Sequence, residues 1–476
     1  MTRLRRCLLR ATLLLAPLVA APSQAAAPPP ARPPNIVFLL ADDMRPDAIG
    51  ALGHPVVKTP HLDALVREGV AFTRAVSAYP ICHVSRAEML TGCTAFRTGV
   101  QYRGTKLDPK LALWPETLRR AGYLTWYSGK WHNDGQPKSR GYVETRALYS
   151  SGGGAGRTPQ PDHAGRPATG YTGWTFKMDD GQLEPEKGVG LTPDTDRFIG
   201  DGAVELIRRR PEQPFFLHVN FTGPHDPRIV PRGFEGAYDL ARVPLPKNFA
   251  AEHPFDHGNA KGRDEVLLAT PRQPAEVRAE LACYYAMISQ VDAQVGRIVA
   301  ALRETGELER TVIIFSSDHG LALGSHGLMG KQNLYDHSFG VPLLLRGPGV
   351  PRGRRLDAAC YLRDLFPTTC ELAGIAVPDT VQGRSLVPVL AGRAKSVHPH
   401  VIGYFTNAQR AIRDDRWKLI WYPQAGRQQL FDLANDADEL RDLAAEPRHA
   451  GKVAELKGRL ETWLKDNGDP LFDAKQ

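Results

Sequence analysis

The sequence predicts an α/β protein with a large, mixed but mostly parallel sheet sandwiched by helices, followed by a small C-terminal antiparallel sheet and a closing helix. Two observations predict this fold class. Short apolar runs alternate with segments of helical length, which is typical of a parallel sheet with helices on both faces. Towards the C-terminus this alternation stops, and two strand-like runs follow one another closely.

Five apolar runs are predicted to form buried strands. Residues 35–41 (NIVFLLA) are almost continuously apolar and partly β-branched, which is typical of a strand that is covered on both faces. Similar runs occupy residues 123–128, 214–221, 311–317 and 341–347. We therefore expect these runs to lie in one sheet.

Helices are predicted between these strands, at residues 61–70, 113–122, 196–210 and 274–306. Residues 139–181 differ, because they are rich in Gly, Pro and Ser and predict an insertion loop. Such loops often border a functional site, although a surface loop without a role fits the composition equally well.

The C-terminal part is predicted to form a small subdomain at residues 381–476, after a main domain at residues 35–380. Residues 416–422 and 428–433 have the pattern of two strands that a turn joins into a hairpin. Residues 452–468 have the pattern of a closing helix with a glycine past its end.

Residues 1–25 are predicted to be a secretory signal that is removed from the mature protein. A basic start (MTRLRR), a short interrupted apolar segment and small residues before a cleavage point follow one another in the required order. Residues 26–34, rich in Ala and Pro, are predicted to be a disordered spacer. The pair Arg5-Arg6 also permits a twin-arginine route, but we favour ordinary secretion. We expect a periplasmic or secreted protein that has no membrane association after cleavage.

The formal net charge of +8 overstates the charge of the mature protein. Residues 1–25 contain four arginines and no acidic residue, so removing them leaves +4. A charge this small argues against a nucleic-acid partner and does not oppose an anionic substrate. Of the six cysteines, five remain once Cys7 is lost. If Cys82 is reserved for chemistry, the other four allow two disulfides.

Charged and imidazole side chains follow the C-terminal ends of four predicted strands, the edge where ligands bind in open α/β sheets. Asp42, Asp43 and Asp318 offer carboxylate oxygens that suit a hard divalent cation such as Ca²⁺ or Mg²⁺. His319 adds a nitrogen ligand, so Mn²⁺ and Zn²⁺ stay open. The other side chains at these strand ends are Lys130, His132, His225 and Asp226. Each pair alone is also typical of a plain strand exit, but together they favour a metal site.

The segment CHVSRAEMLTG at residues 82–92 places a lone cysteine at a predicted helix start. Backbone N–H groups at a helix N-terminus favour anions, so we expect a lowered pKa for the Cys82 thiol. Arg86 lies one helical turn further on and can face the same side. A nucleophile, an arginine and a metal ion together suit attack on an anionic ester.

With these motifs the sequence resembles the type I sulfatases of the alkaline phosphatase superfamily. Their signature is Cys (or Ser)-X-Pro-Ser-Arg followed by X-X-X-Leu-Thr-Gly. The resemblance covers nearly the whole mature chain and includes NIVFLLADDMRPD, LRRAGYLTWYSGKWH, FTGPHDPR and IIFSSDHGLALGSHGLMGKQNLYDHSFG. It implies an alkaline phosphatase-like fold, with the catalytic sulfatase domain at residues 35–380.

The resemblance further implies that a formylglycine-generating enzyme oxidises Cys82 to formylglycine. One hydroxyl of the hydrated aldehyde would attack sulfur and displace the alcohol, and the second would then lose its proton and expel sulfate. A divalent ion, usually calcium in this family, would be held by Asp42, Asp43, Asp318, His319 and the residue that forms from Cys82.

The remaining site residues are also implied by the resemblance. Arg86 would hold the diol, and Lys130 and Lys331 would grip the sulfate oxygens. His132 would position or deprotonate the diol, and His225 would be the general acid for the leaving oxygen. We therefore predict hydrolysis of a sulfate ester on a carbohydrate, while choline sulfate and aryl sulfates stay open as substrates.

One position departs from the signature, because Val84 stands where the family has proline. Proline favours the extended chain that the maturing enzyme reads, so Val84 is a reason to expect inefficient conversion of Cys82, or none. Without conversion the protein would be a non-catalytic binder of sulfated glycans. A separate alternative is a phosphonate monoester or phosphodiester hydrolase, which uses the same device on phosphorus.

Overall fold

A nine-stranded sheet forms the centre of the structure, a computed structural model that describes residues 32–472 except residues 103, 105 and 155. The predicted signal and residues 26–31 of the predicted spacer lie outside this described part. In space the strand order is β5-β4-β3-β6-β1-β7-β8-β2-β9. The strands are β1 (Asn35–Ala41), β2 (Val70–Val76), β3 (Leu124–Lys130), β4 (Glu144–Ser151), β5 (Trp174–Lys177), β6 (Phe215–Asn220), β7 (Thr311–Ser317), β8 (Leu343–Arg346) and β9 (Arg354–Tyr361).

Five of the eight pairings in this sheet are parallel, and the pairings β4/β5, β7/β8 and β2/β8 are antiparallel. The predicted mixed, mostly parallel α/β sheet is therefore confirmed. β1 lies between β6 and β7, and Leu40 pairs with Asn220 while Ala41 pairs with Ser317. Its side chains are buried on both faces, as the continuous apolar run predicts. The residues that follow β1 and β7 consequently emerge side by side.

Helices cover both faces of the sheet. Alternate side chains of β1 enter two different apolar layers. Val37 and Leu39 lie in the layer that contains buried side chains of α1, α5 and α6, whereas Phe38 and Leu40 lie in the layer that contains those of α2, α4 and α8. The helices are α1 (Pro60–Glu68), α2 (Cys82–Thr91), α3 (Ala95–Thr98), α4 (Trp114–Arg120), α5 (Thr195–Arg208), α6 (Pro274–Glu304), α7 (Asp336–Phe339), α8 (Leu365–Leu372), α9 (Val387–Leu390) and α10 (Ala450–Asp466).

The C-terminal part contains a second, antiparallel sheet, as predicted. Its four strands follow one another in chain order: β10 (Val401–Phe405), β11 (Gln409–Arg413), β12 (Trp417–Tyr422) and β13 (Arg427–Asp432). Leu456, Leu460 and Leu464 of α10 lie four residues apart on one helix face and are fully buried. They belong to the same apolar layer as α2 and α8, so this sheet is not packed around a core of its own. A domain boundary near residue 380 stays a prediction.

Two predictions of local structure are correct only in part. The helix predicted at residues 61–70 ends at Glu68, and Val70 already begins β2. A Cβ on Gly69 would lie 2.0 Å from the carbonyl oxygen of Leu345, so the chain turns here against β8, a contact that no helical pattern reports. The predicted insertion loop at residues 139–181 is also partly regular, because its residues 144–151 and 174–177 form β4 and β5.

All cysteines in the described part are buried and free, so neither of the two disulfides that the count allows is formed. They are Cys82, Cys93, Cys283, Cys360 and Cys370. Among the described residues, none of the helices combines the length and the hydropathy that crossing a membrane requires.

Candidate active site

Two turns at the C-terminal edge of the sheet form the floor of the candidate site. Asp42 and Asp43 follow β1, and Asp318 and His319 follow the adjacent strand β7. The backbone N–H of Asp43 and that of His319 both donate to Oδ1 of Asp318, at 3.2 and 3.0 Å. Asp43 has a φ of 71°, a left-handed conformation that aspartate tolerates better than most residues. One carboxylate therefore fixes both turns.

Five potential metal ligands converge above this floor. Asp42, Asp43, Cys82, Asp318 and His319 are all buried, and each offers one ligand atom within 4.8 Å of the others. The Cys82 Sγ lies 3.3 Å from Oδ1 of Asp42 and 3.3 Å from Nε2 of His319. The structure thus brings together the residues that the sequence predicts as ligands. Three carboxylates and one imidazole are a donor set that suits a divalent cation, without deciding which one.

The electrostatics of the carboxylates fit such a cation. Burial opposes the charge of Asp42, but Lys130, together with His225 and Arg86, holds the pKa of this carboxyl well below its ordinary value. At Asp43 burial raises the pKa well above the ordinary value, because Lys331 offsets the burial only in part while neighbouring carboxylates repel the charge. A metal ion beside Asp43 would supply further positive charge and so lower the pKa of this carboxyl.

Helix α2 carries Cys82 at its first position and Arg86 one turn later. The Arg86 Nε donates to Oδ2 of Asp318 at 3.1 Å, and its Nη1 donates to Oδ1 of Asn220 at 2.8 Å. The Ser85 hydroxyl donates to the carbonyl oxygen of Asp318 at 2.7 Å, which ties the start of α2 to the end of β7. The Ser-Arg pair of the motif thus docks this helix on the acidic floor.

The predicted lowering of the Cys82 pKa is wrong. Burial raises the pKa of this thiol well above its ordinary value, and Asp42 raises it further, although Lys130 and Lys331 oppose the shift. Burial and a nearby carboxylate disfavour a thiolate more than the helix N-terminus favours it. In the absence of a bound cation, these surroundings favour the neutral thiol at residue 82.

Two buried lysines flank the cluster from opposite sides. Lys130, the last residue of β3, donates to Oδ2 of Asp42. The Nζ of Lys331 donates to both carboxylate oxygens of Asp43, at 3.0 and 2.9 Å, and lies 3.7 Å from the Cys82 Sγ. Lys331 is therefore close enough to contact a small anion at residue 82, and Lys130 borders the same cluster through Asp42.

The two predicted histidines differ in position. His225 lies 2.8 Å from the Lys331 Nζ through its Nε2, and its Nδ1 lies 2.5 Å from the Asp226 carbonyl oxygen. His132 makes no hydrogen bond to Cys82 in the described structure, and its buried Nδ1 has no partner there. Its ring lies 5.7 Å from that of His83, so it borders the site beside residue 82. Burial lowers the pKa of both rings well below the ordinary value, and the lysines add to this.

The sequence prediction missed several residues of the site. The Tyr171 hydroxyl donates to Oδ2 of Asp42, and its ring lies edge-on to His225 with the centroids 4.7 Å apart. Asp264 lies 3.8 Å from the Lys331 Nζ, and the charges of Lys331 and Arg263 outweigh its burial and lower its pKa to about 2. Asn220 ends the strand β6, a signal that could have identified it. Tyr171 and Asp264 lie in irregular segments that offer no such signal.

A buried glutamate holds the segment that delivers Tyr171. Glu280 of α6 accepts from the Arg228 Nη1 at 2.5 Å, lies 3.0 Å from the His163 Nε2, and also accepts from Arg166. Arg228 and Glu280 are almost completely buried. The positive charges of these partners outweigh the burial and hold the pKa of Glu280 well below its ordinary value. The glycine-rich segment is therefore anchored on α6 a few residues before it reaches the site.

Comparisons with known proteins point to one family. Residues 34–375 match the family model described as sulfatase, and residues 324–466 match the model described as N-sulphoglucosamine sulphohydrolase, C-terminal. The first match covers more than half of the chain.

Individual proteins resemble the chain in sequence or in fold. The chain is 31% identical to a choline-sulfatase of Rhizobium meliloti (strain 1021), over 87% of this chain and 83% of that protein. A structure solved in complex with its substrate, D-glucosamine-2-N,6-O-disulfate, superposes with a TM-score of 0.78 at 23% identity, over 94% of this chain and 100% of that one. The phosphonate monoester hydrolase of Agrobacterium radiobacter gives a TM-score of 0.73 at 26% identity, over 91% and 96% of the two chains.

Proposed function

The chain belongs to the sulfatase family and is an enzyme that hydrolyses sulfate esters, and we propose that its substrate is a sulfated carbohydrate that reacts at a formylglycine made from Cys82. The observation that carries this proposal is the position of the Cys82 Sγ, 3.3 Å from a carboxylate of the five-donor cluster and 3.7 Å from a buried lysine. A nucleophile at this point would meet a small tetrahedral anion between acidic and basic groups.

We propose that Asp42, Asp43, Asp318 and His319, with the residue formed from Cys82, hold a divalent ion, calcium by the resemblance to the family. Such an ion would polarise the sulfate oxygens and lower the pKa of the formylglycine hydrate. Charge balance supports this. The three carboxylates face three cations, Arg86, Lys130 and Lys331, so a divalent ion would give the site the excess positive charge that an anionic ester requires.

The chain's own cations would then bind the sulfate group. Lys130 and Lys331 approach the cluster from two sides as buried point charges, and we assign them to the sulfate oxygens. Arg86 is held by Asp318 and Asn220, so its guanidinium is fixed next to residue 82 before substrate binds. Preorganised charges of this kind stabilise charge that develops in the transition state without reorganisation.

Proton transfer is assigned to the two histidines. His225 accepts from Lys331 at Nε2 in the neutral ring, and an anionic sulfate beside it would oppose the lowering of its pKa and favour the protonated form that donates to the leaving oxygen. His132 is kept neutral by burial, which suits a group that accepts a proton from the hydrate at residue 82.

Mass spectrometry of the peptide that contains residue 82, from protein made in its own host, tests the proposed nucleophile. We expect an aldehyde or its hydrate in place of the thiol. Val84 is fully buried in the apolar layer below α2 and so does not disturb the folded site, but the maturing enzyme reads the unfolded chain. A thiol at residue 82 in every molecule would overturn the mechanism and would favour a protein that only binds sulfated glycans.

A second candidate function is hydrolysis of a phosphonate monoester or phosphodiester. The similarity to the Agrobacterium radiobacter enzyme at 26% identity favours it, and tetrahedral phosphorus fits the same charges. Measuring kcat/KM for an aryl sulfate and for an aryl phosphodiester distinguishes these two candidate functions. Faster turnover of the diester would reject the sulfate ester as the main substrate.

We also propose export to the periplasm or the cell exterior, on the basis of the predicted signal at residues 1–25. Sulfated polysaccharides are too large to enter a cell intact, so an exported enzyme fits a glycan substrate. N-terminal sequencing of the protein from the culture medium and the periplasm would test this, and an intact N-terminus in the cytosol would contradict it.

A further inference from the structure

A second cavity lies where the C-terminal sheet meets the chain around α3. Its volume is about 380 Å³, within the range of small-molecule sites. Three aromatic side chains form its walls: Tyr79, Phe96 and Tyr102. The Tyr79 hydroxyl accepts from the backbone N–H of Thr406 at 3.1 Å. This hydrogen bond links the segment before α2 to the turn between β10 and β11.

Three carboxamide side chains lie beside these rings. Gln101, Asn407 and Gln424 are exposed at the cavity, and their carboxamides have no hydrogen-bond partner among the described residues. Each carboxamide offers both donors and an acceptor. The cavity therefore combines flat apolar surfaces with neutral groups that are available to a ligand.

Among the described residues that line the cavity, none carries an unpaired charge. Arg410 lines it, but its guanidinium donates to both carboxylate oxygens of Asp469, at 2.5 and 2.8 Å, and to the carbonyl oxygen of Thr406 at 2.5 Å. No carboxylate lies among the described residues that line the cavity. The described lining therefore suits an uncharged ligand better than a second anion.

Residues that line this cavity lie close to Cys82 along the chain and contact its neighbour His83. Tyr79 precedes Cys82 by three residues, so the two Cα atoms are at most about 11 Å apart. The carbonyl oxygen of Gln101 lies 2.9 Å from the Nε2 of His83, the residue next to Cys82.

We propose that this cavity binds an uncharged sugar ring of the alcohol part of the sulfate ester. The C–H face of a pyranose is apolar and packs on Tyr102 and Phe96, while its hydroxyls exchange hydrogen bonds with the carboxamides of Gln101 and Asn407. The inference rests on the proposed function, because it places the leaving group of that reaction in this cavity. It makes the cavity a specificity site that is separate from the charged groups around residue 82.

Inhibition of 4-nitrophenyl sulfate turnover tests the proposal. The probes are lactose 3′-sulfate and lactose 6′-sulfate, whose second ring is uncharged, with inorganic sulfate as the control that occupies only the charged site. We expect at least one disaccharide to inhibit. Tyr102→Ala should raise its inhibition constant about 3- to 10-fold, and Asn407→Ala about 2- to 5-fold, as expected for one lost stacking or hydrogen-bonding contact. Inorganic sulfate should inhibit all variants within twofold of the wild type.

Met178→Ala is the matched control, because Met178 is an exposed side chain outside this cavity. It should leave both inhibition constants unchanged. The proposal is overturned if no disaccharide inhibits, if both cavity variants bind the disaccharide as the wild type does, or if the variants lose inorganic sulfate equally. A wild-type protein that turns over no sulfate ester is a distinct result, since it overturns the proposed function and the inference together.

Discussion

The buried glutamate on α6 provides the sharpest test of how the site is assembled. Glu280→Gln keeps the shape of the side chain but removes the charge that faces Arg228, Arg166 and His163. Arg228 then loses its hydrogen-bonded counter-charge, and only the more weakly coupled Asp226 remains. Breaking a buried ion pair in this way costs about 3–5 kcal/mol, and we expect the lower end because the amide still accepts a hydrogen bond.

The expected change in melting temperature follows from chain length. The unfolding entropy is about 2.1 cal/mol/K per residue. For a chain of 476 residues, a destabilisation of about 3 kcal/mol therefore lowers the melting temperature by about 3 °C. Because the folded-state pKa of Glu280 is depressed, its stabilisation is fully present above the unfolded pKa of about 4.3 and is lost as the pH falls below it. The difference between variant and wild type should therefore be full at pH 7 and shrink in acid.

Thermal unfolding at one scan rate measures this, with Glu205→Gln as the matched control. Glu205 also accepts from two arginines, Arg146 at 2.8 Å and Arg209 at 3.1 Å, but 55% of its side chain is exposed. An exposed pair of this kind contributes less than about 1 kcal/mol. If Glu280→Gln melts within 1 °C of Glu205→Gln at pH 7, the proposed anchoring is refuted. We also expect lower turnover only in Glu280→Gln, because Tyr171 follows the anchored segment.

Three further predictions concern the site itself. Removing divalent ions with excess EDTA is expected to abolish turnover of 4-nitrophenyl sulfate, and added Ca²⁺ should restore it; full activity in EDTA would contradict the metal site. Arg86→Lys should lower kcat about 10- to 100-fold, because a single ammonium cannot replace a guanidinium that binds Asp318 and Asn220 at once, and unchanged steady-state kinetics would show that charge alone suffices. Tyr171→Phe should weaken Ca²⁺ binding about 10-fold in calorimetry, since it removes the hydrogen bond that orients Asp42, and an unchanged affinity would mean that the hydroxyl does not orient this ligand.

The parts of the site that the sequence predicted share one property. Asp42, Asp43, Asp318 and His319 directly follow apolar strands, so strand prediction alone brings them to one edge of the sheet. Tyr171 and Asp264 reach the same place from irregular segments, whose path depends on distant contacts such as those of Glu280. No local pattern encodes such contacts, so these residues were missed.

The errors of the sequence prediction also have a physical cause. At Gly69, just after α1, the chain packs so closely on β8 that a Cβ would lie 2.0 Å from the Leu345 carbonyl oxygen, and that contact joins residues far apart in the chain. The pKa of Cys82 was predicted from the helix start alone, whereas the depth of the site and the carboxylate of Asp42 decide its direction. Both errors arise because local patterns do not report what lies opposite a residue in the folded protein.

The free cysteines have a practical consequence for how this protein can be made. Since every cysteine of the described part remains a buried thiol, oxidative cross-linking contributes nothing to the formation of this fold. The polypeptide can therefore reach its native state in a reducing compartment as well as in an oxidising one, and dithiothreitol should leave its melting temperature unaltered. Cytosolic expression of residues 26–476 is accordingly a sound route to material for the unfolding experiments, while the turnover experiments need protein in which residue 82 has been converted.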